Sequence, residues 1–159
     1  WLINTSYHAS EWGLTPEVTK KMGYHRELEI AVETLKKMIK RGIHVLPGGD
    51  SGFAWTPHGT NAKDLEYFMK YLGMSSMEAL LSATAWGAPI MKLDGEVGRV
   101  KDGALADLLL VDGDPLADIR ILQDKKRILA VMKDGEFYRA PVPRDARSSA
   151  PTRWQAVAA

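Results

Sequence analysis

One stretch decides the fold class, residues 43–59, and it reads IHVLPGGDSGFAWTPHG. Its first part, residues 43–48, is short and mostly apolar, and glycines lead from it to a single carboxylate, Asp50. Short apolar runs are typical of strands that are covered on both faces, as in parallel sheets. The stretch therefore predicts a strand at residues 43–48, with Asp50 at its carboxyl end.

The segments before this stretch predict the rest of a βαβ unit. Residues 1–6, WLINTS, are apolar and β-branched enough to be the end of a strand. Residues 25–41 repeat apolar side chains every three or four positions, which predicts an amphipathic helix, and Gly42 follows where a helix cap is expected. Strand, helix and strand in this order favour a parallel sheet and an α/β fold.

Further along the chain, the helical pattern gives way to a β pattern. Helices are predicted at residues 61–72 and 77–91, and a Ser-x-x-Glu capping box begins the second of them. From residue 93 onwards short apolar runs alternate with turns, and Asp134-Gly135 predicts a two-residue hairpin. The last residues are rich in Pro, Ala and Ser, which is typical of a surface or mobile tail. The predicted division is thus 1–92, 93–139 and 140–159.

Composition and charge limit the possible functions. Apolar residues make up 45% and charged residues 26%, the balance of a globular protein, and the net charge of +1 argues against nucleic acid or an acidic membrane as a partner. The absence of cysteine excludes disulfides and Cys-ligated zinc, and no apolar run approaches the roughly 20 residues that cross a bilayer. The chain opens on Trp1, without an initiator Met and within a hydrophobic segment, so we expect an excerpt of a longer polypeptide, whose expected location is the cytoplasm.

Asp50 has two interpretations that this stretch alone does not separate. In parallel α/β folds, ligands bind at the carboxyl ends of strands, which is where Asp50 is predicted, and the neighbouring glycines leave its carboxylate uncrowded. Alternatively, Asp50 only caps a turn or the next helix. A functional role requires partner groups from elsewhere, because a lone aspartate performs little hydrolytic chemistry.

The candidate substrate-binding residues are Tyr7, Ser51 and His58. Ser51 is the neighbour of Asp50, and His58 follows it in the same glycine-flanked loop. Tyr7 comes directly after the first predicted strand and is expected on the same face. Tyr7 and His58 would bind a carboxylate or carbonyl oxygen of the substrate.

Other polar residues favour structural interpretations. The four histidines, at positions 8, 25, 44 and 58, form no His-x-His or His-Glu-x-x-His cluster, so spacing alone assembles no metal site. His25 is expected to be exposed at a helix start, and His44 to be buried within its strand. Asp107 precedes a β run and is interpreted as structural.

Several tracts together resemble the C-terminal portion of the amidohydrolase superfamily, in its imidazolonepropionase-like and Xaa-Pro dipeptidase-like branch. They include GIHVLPGGDSG, GEVGRVKDGALADLLLVDGDPL and VMKDG, and the resemblance covers about residues 1–139. It implies a metal-dependent hydrolase, of which this chain is the C-terminal part of a (β/α)8 TIM barrel plus part of a small β-sandwich domain. Residues 1–6 and 43–48 would be the seventh and eighth barrel strands.

The resemblance also implies a cofactor and a partner. In that family the acid that ends strand eight binds a divalent metal, expected to be one or two zinc ions, and shuttles the proton; here that position is Asp50. The other ligands are an early His-x-His, a bridging lysine and two later histidines, on strands that this sequence lacks. The missing N-terminal half of the barrel is therefore an implied partner.

Three functions remain open at this point. The first is metal-dependent cleavage of the amide bond in a dipeptide or another small carboxylate-bearing amide. The second is cyclic-amide hydrolysis or deamination within the same superfamily, and the third is a non-catalytic scaffold fragment. Two of eight strands cannot close a barrel. We therefore expect the isolated chain to be inactive and either poorly soluble or bound to its missing half, and a homo-oligomer is compatible with the sequence.

Overall fold

The computed structural model describes residues 1–142, and the chain divides into two compact units, Trp1–Ser75 and Ser76–Ala159. Most of the predicted tail, residues 143–159, lies outside the described residues. The predicted assignment of residues 1–92 to a barrel and 93–139 to a sandwich stays a prediction. None of the described helices has the length and apolar character needed to cross a membrane.

The first unit is built from helices. The long helix is α3, and it confirms the helix predicted at residues 25–41; Gly23, in the left-handed conformation, precedes it. The helix predicted at residues 61–72 is also confirmed, although its second half is wound as a π-helix. The elements of this unit are α1 (Leu2–Tyr7), a 3-10 turn (Ser10–Trp12), α2 (Pro16–Lys21), α3 (Tyr24–Lys40), α4 (Lys63–Tyr67) and the π-helical turn (Phe68–Leu72).

The predictions of strands at residues 1–6 and 43–48 are wrong. Residues 1–6 lie largely in helix α1, where the Thr5 amide donates to the carbonyl of Trp1 at 2.9 Å and the His8 amide donates to that of Asn4 at 2.8 Å. Residues 43–48 form neither a helix nor a paired strand, and residues 1–75 contain only isolated bridges. A strand needs a neighbour to pair its backbone, whereas a helix satisfies its own amides locally.

The segment at residues 43–48 is nevertheless held in place by its apolar side chains. Val45 is buried in a cluster with Leu72 and Met74, and the half-buried apolar face of α3 packs against that cluster. The face of α3 contributes Val32, Leu35, Met38 and Ile39. This core fixes the point from which the Asp50 loop departs.

The third predicted helix is shorter than its pattern suggested. Helix α5 covers Ser76–Ser82, and residues 83–91 form turns where a helix was predicted. The Ser82 hydroxyl donates to the carbonyl of Ala79, and the Thr84 hydroxyl donates to that of Leu80, both at 2.7 Å. Such side-chain bonds compete with the backbone ladder of a helix. Gly87 and Pro89, further along, also oppose its continuation.

The second unit contains an antiparallel sheet of order β1-β2-β3, formed by Leu108–Val111, Ile128–Lys133 and Glu136–Arg139. A short 3-10 helix, Ile119–Gln123, lies between β1 and β2. The predicted hairpin is confirmed: Asp134 and Gly135 join β2 to β3 with φ values of 50° and 82°, the left-handed pair that a tight hairpin requires.

The structural interpretation of Asp107 is also confirmed. Its carboxylate accepts hydrogen bonds from Lys133 Nζ, at 2.9 and 3.1 Å, and from the Asp134 amide at 2.8 Å. The Lys133 bond, followed by the backbone bond, lowers the pKa of the Asp107 carboxyl. Asp107 thereby ties the approach to β1 to the β2–β3 turn.

Candidate active-site loop

The loop that carries Asp50 is closed by its own hydrogen bonds. The Gly52 amide donates to the carbonyl of Thr56 at 2.9 Å, and the Thr56 amide donates to that of Phe53 at 3.0 Å. The hydroxyl of Thr56, a buried residue, donates to the Asp50 carbonyl at 3.2 Å. Asp50 itself has a φ of 46°, a left-handed conformation that is uncommon outside glycine. The loop therefore holds Asp50 in a backbone conformation that needs support from its surroundings.

The start of α4 supplies that support from the opposite side. The half-buried Asp64 carboxylate lies beside the backbone of residues 48–49, and the nearby Gly48 amide favours its charged form. A Cβ on Gly49 would come within 3.3 Å of Asp64 Oδ2. One residue beyond Asp50, the Ser51 hydroxyl donates to Asn61 Oδ1 at 2.9 Å. Both chain neighbours of Asp50 are thus in contact with the segment that begins α4.

The electrostatic environment of Asp64 differs from that of an ordinary surface carboxylate. Burial raises the pKa of the Asp64 carboxyl, because removal from water disfavours the charged form. The neighbouring Gly48 amide acts in the opposite direction and lowers the pKa. The carboxylate is therefore kept in a position where its ionisation has an electrostatic cost.

Aromatic rings lie along one side of the loop. The Phe53 and Trp55 rings stack at 5.6 Å with an interplanar angle of 23°, and Trp12 approaches Trp55 at 6.2 Å. The indole Nε1 of Trp55 donates to Thr5 Oγ1 at 3.0 Å, which anchors this wall to α1. Trp55 is thus held against α1, while Phe53 stays substantially exposed next to the loop.

His58 and Ser51 lie in the Asp50 loop, as predicted from sequence proximity. His58 is exposed, and its Nε2 atom lies 3.8 Å from the position that a Cβ on Gly52 would take. The Ser51 hydroxyl donates its proton to Asn61, so its oxygen offers lone pairs to a ligand. Their roles in substrate binding stay predictions.

Tyr7 lies in a different set of contacts. Its ring is tilted against that of His25 with a centroid distance of 4.8 Å. His25 Nε2 in turn lies 3.2 Å from the Ser6 carbonyl and 3.1 Å from Thr19 Oγ1. The expectation of an exposed His25 is therefore wrong, because this ring links the first three helices. His44, expected to be buried, is exposed.

Asp50 has the chemistry of a metal ligand without a complete metal site around it. Within residues 1–142, no group of three or more His, Asp or Glu side chains comes together in a way that could hold an ion. The Asp50 carboxylate is exposed and forms no hydrogen bond or ion pair with any described residue. A carboxylate with free oxygens fits one coordination position of a divalent cation. The other ligands would have to come from outside the described residues.

Sequence reasoning missed Asn61 and Asp64, the two residues that contact the neighbours of Asp50. The apolar pattern of residues 61–72 predicts a helix that includes both residues and gives them no further role. A signal was present, since the stretch TNAKD places an amide and an acid three positions apart at a helix start. Such residues often bond to nearby backbone and side-chain groups at helix N-termini.

The profile of the amidohydrolase family matches residues 13–137. The chain is 30% identical over 105 residues to ochratoxinase from Aspergillus niger, which covers 65% of this chain and 21% of that protein. It is 42% identical over 64 residues to imidazolonepropionase from Rubrobacter xylanophilus, covering 40% of this chain and 15% of that protein. The crystal structure of a Xaa-Pro dipeptidase with bound methionine in the active site superposes with a TM-score of 0.67 at 28% identity, covering 87% of this chain and 33% of that one. The chain therefore spans about a fifth of the curated ochratoxinase and a third of the dipeptidase.

Proposed function

Because the chain belongs to the amidohydrolase family, we propose that it is the C-terminal portion of a metal-dependent hydrolase. The reaction is cleavage of an amide or peptide C–N bond in a small, carboxylate-bearing substrate such as a dipeptide. The observation that carries this proposal is Asp50: an exposed carboxylate without a partner among the described residues, on a closed loop, in a strained left-handed conformation. Strain of this kind is found at functional sites when the surroundings enforce it.

Asp50 has two roles in the proposed mechanism, as metal ligand and as proton shuttle. Asp50 would hold a divalent ion, proposed to be zinc, which would lower the pKa of a bound water from 15.7 to about 7. Asp50 would accept a proton from the attacking water as the water oxygen bonds to the carbonyl carbon. It then gives the proton to the nitrogen as the C–N bond breaks, which yields a carboxylic acid and an amine.

His58, Ser51 and Tyr7 are proposed to bind the substrate. The exposed imidazole of His58, in the same loop as Asp50, would donate to a substrate carboxylate or carbonyl oxygen. Ser51 offers its hydroxyl oxygen as an acceptor for a substrate N–H group. Tyr7 has an exposed ring, which leaves its phenol able to donate to a substrate oxygen.

The test of this proposal is metal content and activity of the whole protein, with Asp50→Asn beside it. We expect the parent protein to contain one or two divalent ions per site and to hydrolyse dipeptides. The variant should lose at least about a hundredfold in kcat, since it removes the proton acceptor. Asp94→Asn, at an exposed aspartate in the second unit, serves as the control and should leave kcat unchanged. A metal-free, inert parent protein would support the scaffold alternative instead.

The substrate-binding roles need a separate experiment. His58→Ala and Tyr7→Phe should each raise KM about tenfold, the usual effect of losing one hydrogen bond to a charged group, while metal content stays unchanged. Unchanged kinetics in either variant would remove that residue from the substrate-binding set.

The missing N-terminal half of the barrel is proposed as the partner that completes the site. The 159-residue chain produced alone should be inactive, and it should be poorly soluble or bind a separately produced N-terminal half. A monodisperse, cooperatively melting monomer would contradict this part of the proposal.

A second candidate function is ring opening of a cyclic amide, favoured by the 42% identity to an imidazolonepropionase. Product analysis separates the alternatives. A dipeptidase releases two molecules from one, ring opening gives a single product with water added, and a deaminase releases ammonia. Mass spectrometry of the products formed from a dipeptide and from a cyclic amide would distinguish them.

A further inference from the structure

We infer that Asp64 is a positioning residue, which fixes the Gly48–Gly49 backbone and thereby aims the Asp50 carboxylate. The inference rests on the proposed role of Asp50 and adds a residue that its mechanism does not use. Asp64 lies fourteen positions further along the chain, at the start of α4.

The contacts of Asp64 are with the backbone immediately before Asp50. Its two carboxylate oxygens lie 3.3 and 3.7 Å from the position that a Cβ on Gly49 would take, and the neighbouring Gly48 amide favours the charged form of the same carboxylate. A distance of 3.3 Å is tighter than most real Cβ contacts, so a side chain at residue 49 would push the carboxylate away. The glycine therefore allows the approach of the acid.

The backbone conformation of Asp50 explains why such a contact is needed. A φ of 46° costs a non-glycine residue about 1–2 kcal/mol and persists only when the surrounding structure enforces it. Three groups do so here: Asp64 lies against Gly49 just before Asp50, Asn61 binds Ser51 just after it, and Thr56 binds the Asp50 carbonyl. Asp64 is the only ionisable residue of the three.

A carboxylate attracts a nearby backbone N–H more strongly than a neutral acceptor does, because hydrogen bonds to an ionised acceptor are stronger than neutral ones. Burial opposes this gain, since it raises the pKa of the Asp64 carboxyl. Asp64 is thus half-buried, although its ionisation would cost less free energy at a solvent-exposed position. That combination is typical of a group retained to hold a particular geometry.

Four variants of the whole protein test the inference: Asp64→Ala, Asp64→Asn, Gly49→Ala and the double variant Gly49→Ala/Asp64→Ala. Asp64→Ala should lower kcat about ten- to a hundredfold with KM within twofold, the pattern of a misplaced catalytic group. Asp64→Asn keeps an oxygen acceptor and should recover kcat to within about threefold of the parent. Gly49→Ala should also lower kcat, and it should add little in the Asp64→Ala background, because both changes break one contact. Additive losses would overturn the inference, as would an Asp64→Ala variant with parental kcat.

Hydrogen exchange gives a second measurement that does not depend on activity. The Gly48 amide should exchange about tenfold faster in Asp64→Ala than in the parent, and it should stay protected in Asp64→Asn. Glu33→Ala, at an exposed glutamate of α3, is the matched control and should change neither exchange nor kcat. Parental protection of Gly48 in Asp64→Ala would overturn the inference. An inactive parent in which Gly48 protection still depends on Asp64 would instead refute the proposed function alone.

Discussion

Gly98 offers the sharpest test of how the second unit is packed. It has a φ of 81°, and a Cβ added there would lie 2.8 Å from both the carbonyl carbon and oxygen of Thr84 and 2.9 Å from Ala85 Cα. Ordinary van der Waals contact begins at 3.4 Å, so the backbone of residue 84 or of residue 98 would have to move by about 0.6 Å. Gly98→Ala should therefore cost about 1–2 kcal/mol for the left-handed conformation and about 1–3 kcal/mol more for overpacking.

Gly103 is a matched control for this substitution. Its φ is 79°, but nothing lies within 4 Å of the added Cβ. Gly103→Ala should thus cost only the conformational part, about 1–2 kcal/mol. Urea denaturation followed by far-UV circular dichroism measures both variants against the parent. If the two glycines cost the same within about 0.5 kcal/mol, the close approach of Gly98 to residues 84–85 is refuted.

Three further predictions follow from the first unit. Thr56→Val removes the hydroxyl that binds the Asp50 carbonyl and should lower the free energy of unfolding by about 1 kcal/mol in thermal denaturation. Thr56→Ser keeps a hydroxyl and should retain the parental stability. Equal losses in the two variants would exclude that bond as the cause. Because burial raises the pKa of Asp64, the parent loses stability as the pH rises from the ordinary value of 3.8 through the raised folded one. Asp64→Asn should therefore be more stable than the parent at neutral pH and equal to it in acid, and a gap independent of pH would contradict this. Burial, with nearby charges, raises the pKa of Tyr67 to about 12. The parent should therefore lose stability as the pH rises from 10 through 12, whereas Tyr67→Phe, which lacks the phenol that donates to Asn4, should not. The same alkaline loss of stability in both proteins would contradict this prediction.

Local patterns predicted the local structure well. The 3.6-residue period over residues 25–41 gave helix α3 within a residue at each end, because one apolar face of that helix packs on Val45 and its neighbours. Asp134-Gly135 gave the hairpin, because both residues must adopt a positive φ and this pair tolerates it. In both cases the sequence signal lies within the segment itself.

The predictions that failed depended on distant partners. Residues 1–6 and 43–48 carry strand-like composition, but a strand forms only where another strand meets its backbone groups, and residues 1–75 offer none. The apolar character of the second segment was still informative, since Val45 is buried. Composition thus predicted burial correctly and pairing incorrectly.

The candidate site was predicted in part, for a related reason. Asp50 stands out in sequence because glycines surround it, and glycines next to an acid signal an unusual backbone. Asp64 does not stand out, since an acid in the first turn of a helix has an ordinary role at the helix dipole. Its contact with Gly48 depends on how the loop returns to α4, a tertiary feature that no local period encodes.

The β sheet of the second unit also exposes side chains that would need partners from elsewhere in the protein. Three consecutive leucines, 108–110, lie on β1 with exposed fractions of 39%, 60% and 51%, so apolar side chains are exposed on both faces of that strand. A strand that is apolar on both faces is the pattern of a strand covered on both sides. We therefore expect the sheet to form one layer of the predicted sandwich in the whole protein. That is the arrangement expected if the sandwich, like the metal site around Asp50, is completed by other parts of the polypeptide. Both proposals would fail together if the whole protein left these leucines exposed and Asp50 in solvent.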